Sequence, residues 1–227
     1  MAIRSVRQQL GRIFTQRCFY LFILLLALIG VVPFVDQTPL GRFVINTIHM
    51  FIMVAAVAAV GRTLFSFVII LLLACAALAT QYLGISWGDA QHFVHSWFFS
   101  AGLYAVAIGY MLSYVFQPEV MTSDKLFGAA SAYLMLGALW MYLYALVGTY
   151  YPGSFTVAGA PATPDLIELL YFSFTVLTST GFGDIVPVTR QARAISVIEQ
   201  LTGALFLAIL IARLAGVYPP SGPRERR

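Results

Sequence analysis

The sequence predicts an all-α membrane protein: six transmembrane helices, plus one re-entrant helix that enters the bilayer and returns through a loop. Three observations predict it. Of 227 residues, 60% are hydrophobic and 10% charged, where a soluble domain carries about a quarter charged residues. The apolar stretches are continuous rather than alternating, which favours helices over the strands of a barrel. One apolar stretch, Pro164–Leu177, is too short to span and leads at once into Thr178-Ser179-Thr180-Gly181-Phe182-Gly183-Asp184.

Each element follows from its own residues. Met1–Arg17 carries Arg4, Arg7, Arg12 and Arg17 and no acid, and Cys18–Val35 is apolar. A secretory signal peptide shares that order. The apolar run is long for one, and no small-x-small cleavage site follows, so it reads as the first span. Pro33, Asp36, Pro39 and Gly41 break the chain outside. Phe43–Val60 is the second span, with alanines that allow close helix approach. Gly61-Arg62-Thr63 is a short inner turn, and Leu64–Leu83 is the third span. Gly84–Asp89 reads as an outer loop with Trp87 at interfacial height. His92–Phe116 is the fourth span, ended by Gln117-Pro118-Glu119 because proline restricts the residue before it.

Ser123–Tyr150 is the fifth span, about 40 Å long at the helical rise. Ser123 suits its N-cap, and Asp124 suits the positive helix end. Pro152–Ala162 is a Gly/Pro-rich outer turret. Thr163 before Pro164 suggests the N-cap of the short helix, with Asp165 and Glu168 in its first turns. Gln191–Gly216 is the sixth span, followed by Tyr218-Pro-Pro and a basic tail.

The basic residues fix an orientation independently of any motif. Arg4, Arg7, Arg12, Arg17, Arg62, Lys125, Arg213, Arg224, Arg226 and Arg227 fall on or near one side, and Arg42, Arg190 and Arg193 on the other. Both termini therefore read as cytoplasmic in a multi-pass protein of the cell membrane. The net charge of +4 sits largely in the tails, so topology explains it and no nucleic-acid partner is implied. Cys18 and Cys75 lie in or beside apolar runs and read as small hydrophobes rather than a disulfide.

The loop after the short helix carries the chemistry. Gly181 and Gly183 accept positive φ, so successive carbonyls can point the same way. Four copies around an axis would stack oxygen rings that replace the water shell of a cation. The run resembles the selectivity filter of the potassium channel superfamily, whose common form is Thr-Val-Gly-Tyr-Gly-Asp. Here the aligned residues are Ser179, Thr180, Gly181, Phe182, Gly183 and Asp184. The resemblance covers about Thr122 to Gly216: outer helix, pore helix, filter and inner helix. It is similar to a six-transmembrane, one-pore subunit of prokaryotic type.

That resemblance implies a homotetramer in membrane lipid with K+ as the permeant ion. Carbonyls of Ser179, Thr180, Gly181 and Phe182 would coordinate K+, and the Ser179 hydroxyl would close the innermost site. Gly183 would shape the outer mouth. Thr178, Asp184 and Glu199 would support the filter, and the C-terminal end of the short helix would favour a cation. Three departures stand out: serine for threonine at Ser179, threonine for valine at Thr180, and phenylalanine for tyrosine at Phe182. Each predicts a weaker cuff and a filter that loses conduction in low external K+.

Several residues admit two readings. Glu199, a carboxylate inside the sixth span, either braces the back of the pore helix or titrates as a gate, or else pairs near the interface with Gln200 or Thr202. Gly203 is either a gate hinge or a close-packing residue. His92 and His95 are either external pH sensors or outer-edge polar residues. Arg213 is expected to snorkel to the inner interface.

The fourth span contains no arginine or lysine, so no conventional voltage sensor is predicted, since sensing needs several membrane charges. The expected organisation is a basic N-terminus at 1–17, a four-helix domain at 18–117, a pore domain at 118–218 and a short tail at 219–227. The tail is too short for a regulatory module. No nucleophile–base set, metal-ligand cluster or phosphate loop occurs, and the chain is expected not to be an enzyme. The alternatives are a weakly selective monovalent cation channel, a potassium transporter component, and a sensor or scaffold that does not conduct.

Overall fold

The computed structural model describes residues 17–35, 64–87, 90–117 and 121–217. Within them lie six helices: α1 (Arg17–Val35), α2 (Leu64–Trp87), α3 (Ala90–Val115), α4 (Ser123–Tyr150), the short α5 (Leu166–Leu177) and α6 (Arg190–Val217). The expected second span, Phe43–Val60, and both tails lie outside the described residues. Three of the described helices are long and apolar enough to cross a membrane, over Val94–Val115, Ser123–Tyr150 and Arg190–Ala215. The apolar stretches of the first and third expected spans are shorter, Cys18–Val31 and Leu71–Gly84.

The fold is mostly helical rather than all-α. The expected turret folds into strands β1 (Phe155–Val157) and β2 (Ala160–Ala162), and β3 (Ile185–Pro187) joins them in the order β2-β1-β3. Both pairings are antiparallel, with Phe155 opposite Ala162 and opposite Pro187. The reason is a two-residue turn. Ala158 and Gly159 take φ of 49° and 83°, the left-handed pair that matches the twist of a tight hairpin.

Two helix starts also differ from expectation. α4 is capped by Thr122, extended at φ −92° and ψ 162°, whose hydroxyl accepts from the Lys125 N–H at 3.3 Å. Ser123 is thus the first helical residue. At the other boundary Gly84 does not break α2, which runs on to Trp87; one glycine costs a helix only about 1 kcal/mol.

α4 is the central helix. It packs against α1, α3, α5 and α6, and α2 packs on α3. Asp124 fastens one end of the bundle: its carboxylate accepts from the Cys18 N–H at 3.1 Å and the Tyr114 hydroxyl at 2.7 Å, joining α1, α3 and α4. Lys125, although charged, is buried there. Arg213 on α6 donates from its guanidinium to the Gln117 carbonyl at 2.8 Å, tying the end of α6 to the turn after α3. α6 is the least covered of the long helices. Ile198, Leu201, Leu205, Ile209 and Ile211 are all exposed on the single chain.

Candidate functional site

α5 begins at Asp165 rather than Thr163. The Asp165 carboxylate accepts from the N–H groups of Ile167 and Glu168 at 2.9 and 2.8 Å, and Glu168 accepts from the Asp165 N–H at 2.9 Å. This reciprocal box satisfies orphan donors that Thr163 is too far back to reach.

The other end of α5 builds the loop. The Ser179 N–H donates to the Val176 carbonyl at 2.9 Å and the Thr180 N–H to the Thr175 carbonyl at 2.8 Å. These are the paired bonds of a Schellman ending, with Ser179 at the left-handed position usually held by glycine. Its φ is 57°. The Gly181 N–H also donates to the Thr175 carbonyl, at 3.1 Å. Positive φ then recurs at Gly181 (56°) and Gly183 (81°), but not at Thr180 or Phe182. Alternating hand turns the N–H groups to one side and the carbonyls to the other. With the amides bonded back to α5, the carbonyls are left without intrachain partners from this set. Thr178 through Asp184 is exposed on the single chain.

Side chains hold this loop on two sides. Thr178 bonds the Phe174 carbonyl at 2.6 Å and the Thr180 hydroxyl at 2.8 Å. Tyr171 on α5 stacks on Phe182 with centroids 6.1 Å apart and 10° between planes. The Asp184 carboxylate lies near the Tyr171 hydroxyl. Beyond the loop, the Ala158 N–H donates to the Asp184 carbonyl at 2.8 Å. The hairpin is thereby bonded to the loop's exit.

Behind α5 the packing is close. A Cβ at Gly137 would meet the Phe174 ring at 2.5 Å. A Cβ at Gly203 would collide with the Leu177 carbonyl, so Gly203 is a contact residue. The same carbonyl accepts from the Tyr133 hydroxyl at 3.2 Å. Glu199 is fully buried and accepts from the hydroxyls of Ser173, at 2.6 Å, and Tyr144. Its partners are on other helices rather than at Gln200 or Thr202; Thr202 bonds the Ile198 carbonyl of its own helix. A groove of about 360 Å³ lies between loop and α6, lined among others by Thr175, Ser179, Gly181, Arg193, Val197 and Gln200.

The structure thus brings Thr178, Ser179, Thr180, Gly181, Phe182, Gly183 and Asp184 into one loop, with Glu199 and Gly203 behind the helix that delivers it. His92 and His95 lie on α3, ring to ring at 6.4 Å with Trp87 on His92, away from this loop in the chain's packing. Sequence reasoning missed Tyr171, Ser173, Tyr144, Tyr133 and the turret hairpin. A hydroxyl on the short helix was the available signal for Tyr171 and Ser173. Nothing local marks Tyr144 or Tyr133.

Residues 129–218 match a family model described as "Ion channel". The chain is 32% identical over 75 residues to the voltage-gated inwardly rectifying potassium channel KCNH6 of Rattus norvegicus, covering 33% of this chain and 8% of that protein. It is 36% identical over 78 residues to two pore potassium channel c of Oryza sativa subsp. japonica, covering 33% and 17%. It is 32% identical over 84 residues to the voltage-gated delayed rectifier potassium channel KCNH5 of Homo sapiens, covering 35% and 8%. The chain therefore spans less than a fifth of the length of these relatives. No solved structure matches it.

Proposed function

We propose that this chain is a subunit of a potassium-selective channel, passive, homotetrameric and not conventionally voltage-gated. The observation that carries it is the alternation of positive φ at Ser179, Gly181 and Gly183, with the Thr180 and Gly181 amides drawn back to the Thr175 carbonyl. This leaves a run of carbonyls to replace a cation's water shell. One chain supplies one quarter of such a ring, so closed rotational symmetry is required. The exposed apolar face of α6 and the groove beside the loop are surfaces for the neighbouring subunits. In this reading Ser179, Thr180, Gly181 and Phe182 hold K+, Gly183 shapes the mouth, and Thr178, Asp184 and Glu199 support the loop. The chain is a six-span subunit of the cell membrane with both termini cytoplasmic, and it conducts rather than catalyses. The matches to an ion-channel family and to potassium channels support this reading.

Flux into liposomes tests it. K+-loaded vesicles with purified protein are expected to show K+ efflux and a reversal potential that follows the K+ gradient rather than the Na+ gradient. Gly181→Ala, which forces a Cβ onto a left-handed residue, should abolish flux while leaving assembly intact. Equal K+ and Na+ permeability would favour a weakly selective cation channel. A monomeric protein without flux would reject the channel reading.

A further inference from the structure

The buried face of α6 is a stripe of Ala192, Ser196, Glu199 and Gly203, spaced so that all four lie on one side of the helix. Three are small and let α6 approach its neighbours closely. The fourth is a carboxylate with none of its surface exposed. A carboxylate there is costly unless its oxygens are satisfied. Among the described residues its hydrogen-bond partners are two hydroxyls, Ser173 on α5 and Tyr144 on α4. No cation pairs with it among them. Tyr133 on α4 also lies near it.

Glu199 is thus where the two long helices of the pore region and the short helix meet. Ser173 shows what this side chain does. Its hydroxyl has one proton and two acceptors within reach, Glu199 at 2.6 Å and the Gly137 carbonyl at 2.9 Å. The Glu199 oxygen is the nearer of the two acceptors, so the Ser173 hydroxyl ties α5 to α6. Ser173 lies two residues before Thr175, whose carbonyl receives the loop amides of Thr180 and Gly181. Tyr144 holds the second oxygen of the carboxylate and is itself bonded to Ser196 at 3.2 Å.

We propose that Glu199 is a positioning residue for the ion pathway, clamping α5 through Ser173 so that the Thr175 carbonyl keeps the loop in its carbonyl-out form. This rests on the channel reading and adds to it a regulation: the filter's lifetime is set from behind, by a carboxylate on the inner helix. Movement of α6 then reaches the loop from behind, through this hydrogen bond and the Gly203–Leu177 contact, rather than through the pore.

The test uses the full-length protein in detergent and in vesicles. Glu199→Gln keeps the shape but replaces one acceptor by a donor, and Ser173→Ala removes the other partner. Amide hydrogen exchange at Thr180 and Gly181 should rise in each by about five-fold or more, as loss of a buried hydrogen bond implies. The double variant should exchange no faster than the faster single one. The decline of current on K+ withdrawal should quicken in the same order. Thr202→Ala, bonded only within α6, is the control and should match wild type. Unchanged exchange in both variants, or strictly additive effects, overturns the proposal. Should Glu199→Gln fail to assemble, Ser173→Ala alone decides on the same exchange readout. Exchange is read without conduction, so a non-conducting wild type would sink the channel reading and leave this inference to its own result.

Discussion

Gly203 and Leu177 show how a single atom decides a residue's role. A glycine in the middle of a spanning helix reads equally as hinge or as contact. Here the Leu177 carbonyl occupies the space that a Cβ would need, and that carbonyl already receives the Tyr133 hydroxyl. Gly203→Ala should therefore cost about 1–3 kcal/mol of stability, the range for overpacking, despite alanine's better helix propensity. Thermal unfolding of the detergent-solubilised protein reads this. A stabilised variant would restore the hinge. Ser179 makes the complementary point. Its left-handed backbone costs a side-chain-bearing residue about 1–2 kcal/mol, and such strain is found where the local geometry is needed.

At the scale of elements, the hairpin of β1 and β2 is bonded to the site it stands beside. β3 is the segment leaving the loop, and it pairs with β1 along Val157–Ile185 and Phe155–Pro187. The Ala158 N–H adds a bond to the Asp184 carbonyl. Ala158→Pro removes that donor, and proline cannot adopt its positive φ. It should accelerate loss of current in low external K+. Ala158→Asn keeps the donor and tolerates the left-handed turn, so its currents should persist at least as long as those of wild type. Recordings during K+ withdrawal separate the pair; equal behaviour would show that the hairpin does not bear on the loop. Legibility also divides here. The long helices were readable from hydropathy, with α4 at Ser123–Tyr150 as expected and α6 one residue longer at each end. The turret was misread because its turn signal, Ala-Gly, is weaker than Asn-Gly and its strands are three residues each.

For the whole molecule, α3 packs along α4. It carries no lysine or arginine over Ala90–Val115. Sensors draw on about 3–4 gating charges in each subunit. The conductance–voltage relation of vesicle-reconstituted protein should accordingly be shallow, far below that valence. A steep relation would require charge from elsewhere in the chain. The end of the bundle at Asp124 is instead tied by one backbone carbonyl and one acid, through Arg213 to the Gln117 carbonyl and through Asp124 to Tyr114 and Cys18.

The sequence by itself determined a helical membrane protein and the stretch that could turn carbonyls outward. Hydropathy, capping chemistry and the freedom of glycine act between near neighbours and can be read along the chain. Only the tertiary structure decided that Glu199 meets Ser173 and Tyr144, that Tyr133 reaches the Leu177 carbonyl, and that Gly203 is a contact. Those partners lie 26, 55 and 44 residues apart for the three hydrogen bonds. Helix packing alone brings them together, and no local pattern encodes which turn of one helix will face which turn of another.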